Sequence, residues 1–90
     1  SRANEYEADD VSWTLLLAAG HDPRALHSFF RKLLRLHSGK TGGNKGSVVR
    51  GMLSTHPATE ERMQVLERRW SELPDIQRRR IERTASMRGG

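Results

Sequence analysis

Apolar residues recur at three- and four-residue steps along the first part of the chain. Ala8, Val11, Leu15, Leu16 and Ala19 form one stripe, which predicts a helix over about 2–19. Gly20 suits the C-terminal cap of that helix. Asp22 then offers a side-chain cap and Pro23 the favoured first helical position, so a second helix is expected at once over 23–37. It carries Leu26, Phe29, Phe30, Leu33 and Leu34 on one side, and the pair should form an antiparallel hairpin. The pattern lapses from Ser38 to Gly51, where Gly39, Gly42, Gly43, Gly46 and Gly51 alternate with lysines, and this composition predicts a loop over 38–51. Helical spacing resumes at Pro57, with Glu60 and Glu61 in the first turn and Met63, Leu66 and Trp70 on the inner face of a helix over 57–71. Pro74-Asp75 breaks it, and 75–86 reads as a short Arg-rich helix. The expected fold is all-α, with three to four helices and a boundary between 1–73 and 74–90.

Composition narrows the picture. Ninety residues allow one small domain of marginal stability, burying only a little over about 60% of its unfolded surface; the low apolar share of 34% fits a piece cut from a larger core or an ordinary polar helical domain. The chain has no cysteine, which removes disulfide staples and thiolate metal sites. No uninterrupted apolar run approaches the roughly 20 residues of a membrane span. The net charge of +5 is uneven: Glu5, Glu7, Asp9 and Asp10 make the start acidic, and Arg68, Arg69, Arg78, Arg79, Arg80, Arg83 and Arg88 make the end basic. A basic end can attract nucleic acid or anionic lipid. It can equally be a solvated helix face, and without interleaved aromatics or a nucleic-acid motif no specific nucleic-acid partner is expected. Gly39-Lys40-Thr41 does not make a phosphate loop, because the other glycines follow it and no strand leads into it.

The residues with chemical potential are at the acidic start. Glu5 and Asp9, four apart, share one helix face. A Glu-x-x-x-Asp spacing suits a zinc site in which the first carboxylate binds the metal and the second hydrogen-bonds the ring nitrogen of a histidine ligand. Acidic residues also crowd the first turn of many helices because they oppose the macrodipole.

Several further blocks follow in a fixed order. Glu5-Tyr6-Glu7-Ala8-Asp9 precedes Gly20-His21-Asp22-Pro23, then Phe30-Arg31-Lys32-Leu33, then Leu53-Ser54-Thr55-His56-Pro57 and Glu61-Arg62. This series resembles the C-terminal part of the catalytic domain of the HtpX-like and CAAX-prenyl-protease zinc metallopeptidases, metallopeptidase family forty-eight, of the soluble or periplasmic type. It covers roughly the first three quarters of the chain, and His21 stands where an aromatic residue is usual.

The resemblance implies a hydrolase, a zinc-dependent metalloendopeptidase acting on polypeptide substrates. Glu5 would be the third zinc ligand and Asp9 the residue orienting a histidine ligand. His56, at a loop-to-helix junction, would reach the metal, the substrate or the developing oxyanion, or else cap its helix. Arg62 would anchor a carboxylate near the site, or lie solvated in an exposed first turn. His21, His27 and His37 are expected on solvated faces or helix ends. The family's other two zinc ligands and its general base come from an H-E-x-x-H helix, and no such motif occurs among His21, His27, His37 and His56.

The chain is therefore expected to be a fragment, as the lack of an initiator Met and signal peptide also suggests. Alone it should be inactive and should not hold zinc; its partner would be the upstream part of its own catalytic domain. Resemblance favours a bacterial periplasmic or membrane-associated setting, with membrane association supplied by segments outside this chain. The rival expectation is a stand-alone basic helical module binding nucleic acid or a partner protein. That reading accounts for the arginines near the end and not for the ordered blocks from Glu5 to Arg62.

Overall fold

A computed structural model describes residues 1–38, 43–55 and 58–88. Among these residues the fold is five helices: α1 Arg2–Ala18, α2 Ala25–Ser38, α3 Gly43–Thr55, α4 Thr59–Ser71 and α5 Asp75–Met87. Ser1 caps α1 by accepting from the Asn4 amide at 3.3 Å. At the other end Gly20 adopts φ +77°, its amide donating to the Leu17 carbonyl and that of His21 to the Leu16 carbonyl. Both orphan carbonyls are thereby satisfied by a reversal that a Cβ would disfavour. Asp22 caps α2 through the Arg24 amide at 2.9 Å.

α2 packs against α1, α3 and α4. The core is Trp13, Phe30, Leu33, Val49 and Leu66, with Leu17, Leu26, Met52, Leu53, Met63, Trp70 and Leu73 packed around it. Met63 and Trp70 are thus at the core edge, half-buried, with Leu66 between them at its centre.

Two expectations are corrected. The described part of the predicted glycine loop, residues 43–51, is helical and belongs to α3; residues 39–42 lie outside the described residues. Two interior glycines, Gly46 and Gly51, cost about 2 kcal/mol of helix propensity together. Val49 is buried and Met52 and Leu53 half-buried, at helical spacing, and each fully buried side chain of this size contributes about 1.5–3 kcal/mol. Packing on α2 outweighs composition.

The inward face of α1 is also rotated from the predicted stripe. Asp9 and Trp13 are its buried residues, whereas Val11 and Leu15 are 51% and 63% exposed. A pattern of apolar letters cannot register a buried carboxylate, and Asp9 goes inward because a cation meets it there. The predicted start of the 57–71 helix at Pro57 falls outside the described residues; α4 is described from Thr59.

α5 has no buried residue. It is tethered by Arg78, whose Nη1 donates to the carbonyls of Ser71 and Leu73 at 2.8 Å each. This caps the open C-terminal end of α4 with a cation, the favourable sign for the helix dipole.

Candidate functional site: an acidic turn held by a buried arginine

Glu5 and Asp9 stand one turn apart on α1 and face the first turn of α4. Arg62 comes from that turn and is buried beside Asp9. Its Nε donates to Asp9 Oδ2 at 2.7 Å and its Nη2 to Asp9 Oδ1 at 2.6 Å. This is the two-pronged geometry that a planar guanidinium offers a carboxylate. The third nitrogen, Nη1, lies 3.1 Å from Glu5 Oε2. One cation therefore bridges both carboxylates.

Phe30 supplies the floor. The Arg62 guanidinium carbon sits 4.5 Å from its ring centroid, so the flat face not needed for hydrogen bonding is covered by an aromatic. The Asp9 hydrogen bonds raise the Arg62 pKa above its ordinary value; burial pulls it down and is outweighed, with Asp9 and Glu5 adding charge attraction. Arg62 is thus a permanent cation. Every buried side-chain polar atom among the described residues has a partner.

The same cluster opens on a cleft of about 250 Å³ lined by Glu5, Asp9, Phe30, Met52, Thr59 and Arg62. Charge continues along the α1–α4 seam. Arg2 bonds Glu61 at 3.1 Å, the Tyr6 hydroxyl donates to Glu61 at 3.4 Å, and Arg69 pairs with Asp10 while lying over the Trp13 ring. The partners keep the same order along both helices, so α1 and α4 run in the same sense.

Of the residues singled out in the sequence, Glu5, Asp9 and Arg62 are brought into contact. Arg62 is 5% exposed, which settles its position against the solvated alternative. His56 lies outside the described residues. His21 and His37 are exposed. His27 departs from the expected solvated face: its Nε2 is 2.7 Å from Glu67 Oε1 and its side chain 16% exposed. Among the described residues no group of three or more His, Cys, Asp or Glu side chains could hold a metal ion, so they do not form a complete metal site by themselves. The residue that sequence reasoning missed is Phe30. Read as one member of an apolar stripe, it gave no signal that its ring face would meet a guanidinium.

The model of peptidase family M48 matches residues 1–70, which span α1 to the end of α4. The mitochondrial metalloendopeptidase OMA1 of Arabidopsis thaliana is 39% identical over 66 residues, 73% of this chain and 12% of its own length. The metalloprotease LoiP of Escherichia coli (strain K12) is 37% identical over 71 residues, 79% of this chain and 25% of its own length. The chain thus corresponds to a minor part of either relative. No solved structure matches it significantly.

Proposed function

The chain belongs to peptidase family M48, and from that premise we propose that it is a segment of a zinc-dependent metalloendopeptidase in which Glu5 supplies one zinc ligand. The observation that carries the reading is the Glu5–Asp9–Arg62 cluster: two carboxylates one turn apart, fixed by one buried guanidinium at the edge of a cleft. A metal ligand needs its orientation fixed before the metal arrives, and a contact at 3.1 Å from a buried, aromatic-backed arginine provides that.

The two remaining ligands and the general base would come from an H-E-x-x-H helix that this sequence does not contain. When bound in such a site, zinc activates water and polarises the scissile carbonyl. The contribution of this chain is positional. Glu5 presents a carboxylate. Asp9, held by Arg62 through both oxygens, keeps that turn of α1 against α4 and is the residue proposed to orient a histidine ligand. A carboxylate offers about four lone-pair sites, so bonding Arg62 does not exhaust Asp9. His56 is proposed to act on the substrate or the developing oxyanion. Val11, Leu15 and Phe29, exposed by 46–63%, form the face against which the upstream part of the catalytic domain would pack. The segment alone is expected neither to cleave casein nor to bind zinc stoichiometrically.

The test is made in the longer enzyme that carries this segment beside its H-E-x-x-H helix. Glu5→Gln should abolish peptide cleavage and lower zinc content, because an amide oxygen lacks the balancing charge. Asp9→Asn should be milder, about 10–100-fold in activity or metal affinity. His56→Ala should lose turnover with zinc retained. Wild-type turnover and zinc content in Glu5→Gln would refute the assignment.

A further inference from the structure

The family match ends at residue 70, before α5 begins, so the charge on α5 needs an account of its own. Ile76, Arg80, Arg83 and Met87 follow at steps of four, three and four, which places them on one helix face, with Arg79 at its edge. That face is bare. Ile76 is 66% exposed and Met87 82%, and the three arginines are exposed as well. The inward side is formed by half-buried Arg78, Ile81, Thr84 and Ala85. Neither acidic residue of α5 neutralises the outer face: Asp75 pairs with Arg78, and Glu82 lies 3.9 Å from Arg24.

We propose that this outer face of α5 docks on an anionic phospholipid surface. The face combines two features that a bilayer interface uses together. Ile76 and Met87, about 16 Å apart along the axis, give a narrow apolar seam that can enter the headgroup boundary. Arginines flank that seam on both sides, where their stems can lie along the apolar layer while their heads meet lipid phosphates. A nucleic-acid backbone would satisfy the arginines and leave Ile76 and Met87 without a role, and α5 carries no aromatic residue for base stacking. The proposal does not depend on the zinc reading. Among the described residues no helix is long and apolar enough to cross a membrane, so the contact is a peripheral one.

The experiment is co-sedimentation of the full chain with phosphatidylcholine vesicles, with and without about one-third phosphatidylserine. Binding is expected to the anionic vesicles only, falling steeply as salt rises from about 50 to 300 mM. Changing Arg79, Arg80 and Arg83 together to Gln should weaken it roughly a hundredfold. Ile76→Ser with Met87→Ser should weaken it about tenfold while leaving the salt dependence in place. Circular dichroism should show unchanged helix content in both variants, since every altered side chain is exposed. Equal binding to neutral vesicles, or indifference to the arginine changes, would overturn the proposal. So would binding to duplex DNA that is unaffected by the two serines, together with no binding to anionic vesicles.

Discussion

Replacing Arg62 by Ala is the most informative change to the chain itself. Arg62 and Asp9 are 5% and 6% exposed and share hydrogen bonds of 2.7 and 2.6 Å. Truncating the arginine leaves the Asp9 carboxylate in the interior without its donors, and Glu5 without its 3.1 Å cation. Breaking a buried pair on one side costs about 3–5 kcal/mol. A domain of this size has about 5–13 kcal/mol in total, so the variant should lose at least about a quarter of its stability. At about 4–8 °C per kcal/mol for a small domain, the melting temperature should fall by at least roughly 12 °C. Thermal and urea unfolding followed by far-ultraviolet circular dichroism read this directly. The companion variant Asp9→Leu with Arg62→Met removes both charges at similar volume and should recover most of the loss, since apolar replacement of a buried pair is often neutral or better. A loss below about 1 kcal/mol for Arg62→Ala, the range of a solvated pair, would refute the reasoning, as would a double variant no more stable than the single one.

Other predictions concern the turns. Burial alone would raise the Asp22 pKa, but the Arg24 side-chain and backbone hydrogen bonds and its charge hold it below the ordinary 3.8. That stabilisation is present above the ordinary value and lost as pH falls through the depressed one; Asp22→Ala should therefore cost about 1 kcal/mol at neutral pH, with the gap to wild type closing below about pH 3.8 in urea titrations. Gly20→Ala should destabilise by about 1 kcal/mol, because φ is +77° and an added Cβ would meet the Arg88 guanidinium at 2.8 Å. Gly51→Ala should do the reverse, stabilising by about 0.5–1 kcal/mol, since nothing lies within 4 Å of its Cβ and the residue is helical; thermal melts that rank these two glycine variants the other way would contradict both arguments.

Where local chemistry decides the structure, the sequence was readable. The 3.6-residue period located α1, α2 and α4 to within a few residues, the Pro74-Asp75 break marked where α5 begins, and the Gly20 reversal and the Asp22 cap followed from residue type and position. α3 was not readable because its glycines argue against a helix one residue at a time, while the burial of Val49 against α2 is a tertiary quantity. The inward face of α1 was misjudged for a related reason: burying Asp9 is unfavourable unless Arg62, 53 positions away, is known to arrive. Glu5 and Asp9 could be named from spacing and resemblance. Their common attachment to Arg62, and the Phe30 ring beneath it, required the fold.

The way α1 is held differs along its length. Trp13 and Leu17 anchor its second half in the apolar core, while the half that carries Glu5 and Asp9 is tied to α4 chiefly by charged side chains. With little apolar burial of its own, the acidic turn should be the first piece of the fold to open. Amide hydrogen exchange should accordingly be faster from Glu5 to Asp9 than from Phe30 to Leu33. The order of this turn then rests on charged hydrogen bonds more than on apolar burial, so the start of α1 can loosen while α2, α3 and α4 stay assembled.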